Sequence, residues 1–396
     1  MSKALSSNSG QINLAAVLYG PKDLRIESIP IESPKPNEVQ LFIETTSLCG
    51  SDLHYYSLGR NGNFKIQTPI ILGHESCGRI IKLGNQIERS DLSLGQRVAI
   101  ECGLFCKCCD RCLEARYNLC EKMEFRSSAK NVPHSDGTLC QLINHPADLV
   151  HIVPDEIPAP CVALLEPLSV VMHAFDRLKI TKETSSNILV IGAGPIGIIA
   201  CGLARALGIR SISLIDIDSS KIDFEAKEMK WATDSWVSPK TVGNTLESSK
   251  GLSDSILQRF KKPSGFDFTI ECTGVGSCIQ TGVYVTRSGG KLGLVGMGTP
   301  ELMMPISSAA LREVDIIGTF RYANVYPKAI KLLTEQIRDE GPLKRIERLI
   351  THSVDLKEAG KGFKWLEEGR DENGKGVMKM MITSSVSSDL KSIYHL

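Results

Sequence analysis

Apolar positions along the chain fall into three textures. From residue 12 to about 165 they form short runs broken by Gly and Pro, as at Pro34-Lys35-Pro36-Asn37 and Leu72-Gly73. That spacing predicts β-strands joined by turns. From about 170 to 322, strand-like runs alternate with longer stretches of helical period, which predicts βαβ units and a parallel sheet. Strands are expected there at 188–191, 213–216, 266–270, 292–295 and 316–320, with a helix over 196–207. Residues 239–264 read as loop plus one helix. From 323 to 383 the pattern is mixed, with a helix over 328–338 and strand candidates at 349–350 and 377–382. No internal repeat or low-complexity block interrupts these textures.

A glycine turn sits where the second texture begins. Gly192-Ala193-Gly194-Pro195-Ile196-Gly197 follows a predicted strand and opens a predicted helix. The first glycine permits a tight turn, the second lets backbone approach a pyrophosphate, and the third lets helix and strand pack closely. The helix N-terminus then offers free N–H groups to phosphates. Asp216, at the end of the next strand, is placed to accept the ribose hydroxyls of NAD and to repel the extra phosphate of NADP. Asp218 adds to that repulsion, while Lys221 argues the other way. Two carboxylates outweigh one lysine, so NAD is the expected cofactor.

The chain has 13 cysteines, and six of them fall between Cys102 and Cys120. Cys106, Cys109, Cys112 and Cys120 form C-x2-C-x2-C-x7-C, which suits a closed, structural, tetrahedral zinc site. Free or redox-active thiols and an iron–sulfur centre are the alternatives. Cys102 and Cys108 in the same loop blur the ligand choice. A second, dispersed set comprises Cys49 to His54, Gly73-His74-Glu75 and Leu165-Glu166-Pro167. It supplies a thiolate, imidazoles and carboxylates, the donors of a catalytic zinc site. Spacing alone does not pair these residues.

Composition narrows the function classes. A length of 396 residues implies two or three domains. Forty-six basic against 45 acidic residues remove a strong electrostatic case for nucleic acid or an anionic membrane as main partner. No uninterrupted apolar run reaches 18 residues. The first 11 residues are polar and Ser-rich, and both ends read as loose tails. With no secretory signal pattern, the expected location is cytoplasmic.

Several of these pieces together resemble one family. They are Cys49-Gly50-Ser51-Asp52-Leu53-His54-Tyr55, Gly73-His74-Glu75, Arg116-Tyr117-Asn118-Leu119-Cys120, Glu166-Pro167-Leu168-Ser169-Val170, 192–197 and Gly318-Thr319-Phe320-Arg321-Tyr322-Ala323-Asn324. Over about residues 12–383 the chain is similar to the zinc-containing medium-chain dehydrogenases. Within them it is most similar to the polyol branch of sorbitol, xylitol and L-arabinitol dehydrogenases.

The resemblance implies an α/β fold: a GroES-like β-rich catalytic domain in two chain pieces plus a Rossmann domain with a doubly wound parallel sheet. The expected division is 1–170 (with a structural zinc lobe at about 101–121), 171–322 and 323–396. Catalytic zinc is implied at Cys49, His74 and Glu75, with Glu166 contacting the zinc water or substrate or exchanging as a ligand. Ser51 and His54 match the proton relay. Gly192, Gly194, Ile196, Gly197, Asp216, Lys221 and Val295 are the cofactor positions. Tyr55, Phe125, Arg321 and Tyr322 match the substrate pocket.

The implied activity is reversible, NAD-dependent oxidation of a secondary alditol hydroxyl to the ketose. The implied assembly is a homodimer or homotetramer. Another secondary alcohol (L-idonate, L-threonine, a butanediol) and a non-catalytic NAD(H)-binding role are the alternatives. Three departures stand out. The segment 127–136 is longer than usual, Cys102 replaces a proline, and Lys221 stands where an arginine is frequent.

Overall fold

The run of apolar residues before the glycine turn forms the strand Asn187–Ile191, buried beyond its first residue. It lies inside a six-stranded parallel sheet with the order Asp234–Val237, Ser211–Asp216, Asn187–Ile191, Phe266–Glu271, Thr286–Leu294, Asp315–Gly318. Helices cover both faces, which is why Asn187–Ile191 is apolar without alternation. Chain order runs outward in both directions from Asn187–Ile191. The switch point therefore falls between that strand and Phe266–Glu271, where such sheets bind their ligands. Two expected strands change length: 292–295 extends back to Thr286, and 316–320 ends at Gly318.

The computed structural model describes residues 11–183, 186–241, 243 and 245–385. The expected tails lie outside the described residues except at Gln11, Ser384 and Ser385. Gln11 opens the first strand, and the Ser384 N–H donates to the Glu44 carbonyl at 3.1 Å.

The β-rich texture becomes a seven-stranded sheet with Glu38–Ser47 near its centre. Along one side Glu38–Ser47 pairs antiparallel with Glu75–Leu83, Ser47 lying opposite Glu75. Along the other it pairs with Leu142–Pro146 and, near its end, with Lys379–Thr383, Met381 lying opposite Ser47. Distant parts of the chain thus complete one sheet, and they meet at the C-terminal end of Glu38–Ser47.

Residues 326–349 lie against the nucleotide-binding unit. The helix Tyr326–Arg338 packs on Leu165–Leu178, and the 3-10 segment Pro342–Leu349 packs on Pro195–Ala206. The C-terminal piece joins the catalytic sheet only from Ile350. The boundary drawn at 170/171 falls within the helix Leu165–Leu178, which ties the two units together. Its apolar faces meet both neighbours, and a change of texture along the chain cannot register that. The stretch Ala159–Leu178 is the one described stretch long and apolar enough to cross a membrane, and most of it is buried inside the fold.

Candidate active site

Sheet register builds the first cluster. Because Ser47 lies opposite Glu75, Cys49 just past one strand and His74 just before the next become neighbours. The Cys49, His74 and Glu75 ligand atoms lie within 4.8 Å of one another. Cys49 caps the helix Gly50–Leu58, and Asp52 in its first turn accepts from the Cys49 N–H at 3.0 Å. The other Asp52 oxygen accepts from the Gly73 N–H at 3.1 Å and Ser127 Oγ at 2.6 Å, and faces His74 Nδ1 at 3.3 Å.

Burial pushes the His74 imidazole down, but the Asp52 carboxylate more than reverses this and holds it well above its ordinary pKa. Asp52 itself is held below the carboxylate range despite complete burial, because His74, Ser127 and the Cys49 amide all stabilise its charge. With Nδ1 turned to Asp52, Nε2 is the nitrogen left for a metal. One thiolate, one imidazole and one carboxylate make a three-ligand set of the catalytic zinc type, with a fourth position open.

Glu166 enters from the first turn of Leu165–Leu178 and is buried beside His74 and Glu75. Burial raises its carboxyl to about 7, against the pull of His74. The Tyr322 hydroxyl is buried near Glu166 without a hydrogen bond among the described residues. Phe125 stands edge-on to His74, with ring centres 5.5 Å apart. The half-buried Arg321 guanidinium lies over the Phe125 ring at 3.7 Å. Tyr55 is 1% exposed, and its hydroxyl accepts from the Ala129 N–H at 3.0 Å. It is therefore a buried wall tied to the 127–136 segment, not an open pocket face. Ser51 is half-buried and His54 exposed, one turn apart on Gly50–Leu58, with His54 Nδ1 3.4 Å from Asn61 Oδ1.

The long 127–136 segment is anchored rather than loose. His134 Nε2 accepts from the Gln67 N–H at 2.9 Å, and Asp136 from the Ile71 N–H at 2.9 Å. Through Ser127 the same segment braces Asp52.

In the cysteine lobe, Cys106–Cys112, Cys109–Cys112 and Cys106–Cys120 sulfurs lie 3.9, 3.5 and 3.6 Å apart. Bonds of 2.3 Å to a tetrahedral zinc give edges of about 3.8 Å, so the lobe fits that ion. Neither extra cysteine joins it. Cys102 is fully buried, its thiol donating to the His74 carbonyl at 2.9 Å, and Cys108 is exposed.

The glycine turn has the geometry of a phosphate cradle. Gly192 has φ 105°, and a Cβ there would meet Thr273 Cγ2 at 2.7 Å. A Cβ on Gly197 would strike the Gly192 carbonyl at 1.8 Å, whereas Gly194 opens onto free space. Asp216 accepts from the Ala193 N–H at 2.7 Å and the Asp218 N–H at 2.9 Å. Asp218 caps the helix Ser219–Phe224. Ile196, Lys221 and Val295 are half-buried.

The alcohol dehydrogenase GroES-like domain family matches residues 35–155, and the zinc-binding dehydrogenase family matches residues 195–335. Sorbitol dehydrogenase of Bos taurus is 38% identical over 357 residues, which cover 90% of this chain and 94% of that protein. The chain belongs to the zinc-containing medium-chain dehydrogenases, in their polyol branch. Sorbitol dehydrogenase of Homo sapiens is also 38% identical, over 90% of this chain and 93% of its own. L-idonate 5-dehydrogenase of Escherichia coli shares the fold at TM-score 0.79 and 25% identity, covering 94% of this chain and 98% of its own. Galactitol-1-phosphate dehydrogenase of the same organism aligns at TM-score 0.76 and 26% identity, over 93% and 99%. This polyol dehydrogenase is therefore an oxidoreductase of alcohol substrates.

Two site residues of the dehydrogenase escaped the sequence reading. Asp52 lay inside a quoted motif without a role. Lys379, buried in the strand Lys379–Thr383, donates to Glu75 Oε2 and, at 3.1 Å, to the Leu48 carbonyl. Its signal was a charge inside an otherwise apolar strand.

Proposed function

We propose that this dehydrogenase oxidises a secondary hydroxyl of an alditol of the sorbitol, xylitol or L-arabinitol type to the ketose, reversibly, with NAD. The observation that carries the reading is the Cys49–His74–Glu75 cluster with Glu166 beside it, near an arginine, Arg321, whose guanidinium makes no hydrogen bond among the described residues. When bound, zinc supplies a Lewis acid to the substrate hydroxyl and NAD supplies the hydride acceptor. Cys49, His74 and Glu75 hold the catalytic ion. Cys106, Cys109, Cys112 and Cys120 hold a structural one.

The protein's own residues divide the remaining work. Asp52 orients the His74 ring through the contact of its carboxylate with Nδ1 at 3.3 Å. Glu166, buried and raised to about 7, can hold or release a proton at a carboxyl oxygen near neutral pH. Ser51 Oγ and His54 carry a proton from the buried start of their helix toward its exposed face. Arg321 and Tyr322 offer hydrogen bonds to the remaining hydroxyls, so a substrate lacking them leaves buried polar groups unpaired. Asp216 prefers two ribose hydroxyls to a phosphate, which favours NAD over NADP. The Gly192–Gly194–Gly197 turn seats the pyrophosphate. The reading includes a homodimer or homotetramer working in the cytoplasm.

The test is initial-rate activity with NAD and NADP on sorbitol, xylitol, L-arabinitol, ribitol, L-threonine and ethanol, with zinc content measured. Turnover of one or two alditols with NAD and about two zincs per chain supports the reading. Full zinc loading without alditol turnover overturns it in favour of another secondary alcohol or a binding role.

A further inference from the structure

Two stretches far apart in the chain meet at the pocket. The 3-10 turn Tyr117–Leu119 at the end of the cysteine lobe touches segment 320–324, which carries Arg321. Asn118 is 4% exposed, and its Nδ2 donates to the Phe320 carbonyl at 2.8 Å. The Tyr117 hydroxyl accepts from the Asn324 N–H at 2.6 Å and donates to Glu101 Oε1 at 2.6 Å. Asn324 Nδ2 donates to the Ala115 carbonyl at 2.6 Å.

The Tyr117 hydroxyl has one proton to give, and it goes to a buried carboxylate. Glu101 is in turn fixed by His151 Nε2 at 2.8 Å from its other oxygen. The Tyr117 ring stacks on Phe105 with centres 4.2 Å apart. Position and direction of this hydroxyl are therefore set from within the lobe.

The segment it holds needs holding. Arg321 has φ 50° and Asn324 φ 59°, so two non-glycine residues within four adopt the left-handed region. Such conformations persist where the surroundings over-determine them. The bonds to the Phe320 carbonyl and the Asn324 amide bracket Arg321 on both sides. Its side chain has no such fixing. Among the described residues the guanidinium makes no hydrogen bond or ion pair. It rests between the rings of Phe125 at 3.7 Å and Phe320 at 4.7 Å. The direction of its free donors depends on the backbone from which it projects.

We propose that Tyr117 and Asn118 are positioning residues for the substrate pocket: they clamp segment 320–324 to the cysteine lobe and so aim the Arg321 guanidinium. This rests on the reading of Arg321 as a substrate-binding side chain. The lobe then acts on substrate affinity, not only on stability.

The experiment compares wild type, Tyr117→Phe, Arg321→Leu and the double variant in steady-state kinetics with sorbitol and NAD. Amide hydrogen exchange over residues 318–325 is followed in parallel. Tyr117→Phe is expected to raise the sorbitol KM on the order of tenfold, with kcat and the NAD KM within about twofold. In the Arg321→Leu background the same change should add nothing further to KM. Exchange of the Asn324 amide should quicken. Asn118→Leu, which frees the Phe320 carbonyl, tests the clamp from its other end should Tyr117→Phe fail to fold.

An equal KM penalty with and without Arg321, or a parallel rise in the NAD KM, overturns the positioning role in favour of plain structural support. Unchanged exchange over 318–325 overturns it as well, whatever the substrate. Absence of alditol oxidation by wild type defeats the reading of the substrate instead. The exchange measurement then decides the clamp alone.

Discussion

The Lys379 ammonium is hydrogen-bonded to the Glu75 carboxylate in the core beneath the active site, with 4% and 2% of the two side chains exposed. Desolvated charges of this kind hold each other in place, and removing one leaves the other uncompensated. Lys379→Met should destabilise the zinc-free protein by about 3–5 kcal/mol. It should also loosen Glu75 as a ligand. Urea denaturation after chelation checks the first expectation, and competition for zinc with a chromophoric chelator the second. Unchanged stability and zinc affinity would show that Lys379 is a passenger.

Cys49→Ala and His74→Ala remove one member each of the three-ligand cluster. Loss of several kcal/mol of transition-state stabilisation predicts a fall in kcat on the order of a thousandfold or more. The glycine turn lies in the other unit, so NADH binding, read by fluorescence titration, should be nearly unchanged. Surviving turnover would show that the cluster is not the catalytic centre.

Local and distant features differed in how legible they were. The strand Asn187–Ile191, the glycine turn and Asp216 lie within 30 residues, and each has a local reason for its residue type, so pattern alone placed them. The cysteine lobe was legible for the same reason. The pairing of Cys49 with His74 was not, because it is set by the register of Glu38–Ser47 on Glu75–Leu83. That register is decided by tertiary packing. Lys379 lies beyond any local reasoning, since it reaches Glu75 only because Lys379–Thr383 returns to the same sheet. Resemblance supplied the Cys49–His74–Glu75 grouping, and the sheet supplies its physical cause. Segment 127–136 stood out only as longer than usual. Its bonds through Ser127, His134 and Asp136 are long-range, and no composition reports them.

In the proposed reading, Asp216 carries the cofactor preference. Asp216→Ser removes a carboxylate that a 2′-phosphate must otherwise face, and should shift the NAD/NADP ratio of kcat/KM toward NADP on the order of tenfold or more. The variant also gives up the bond from the Ala193 N–H, so some loss of NAD affinity should accompany the shift. An unchanged ratio would remove Asp216 from the ribose site.

Acid stability should depend on Glu44. Burial raises its carboxyl, but Arg97 at 2.7 Å and Arg79 at 3.0 Å prevail and hold it below its ordinary value. A folded-state pKa below the unfolded one stabilises the protein above the unfolded pKa of about 4.3, and the contribution fades as pH falls through the folded value. With 21% of the side chain exposed, the contribution is discounted to about 1 kcal/mol. Glu44→Gln should therefore lower the urea midpoint at pH 7 and narrow its gap to wild type on acidification below about pH 4. A gap that stays constant with pH would contradict the ion-pair assignment.

The central claim is that hydride passes from a carbinol carbon of an alditol to NAD in this site. Mass spectrometry of the reduced cofactor formed from sorbitol deuterated at C2 tests it most directly. The account predicts NADH carrying the deuterium, formed by the zinc-loaded enzyme and not by His74→Ala. Reduced cofactor without the label, or none formed from any labelled alditol, would contradict it.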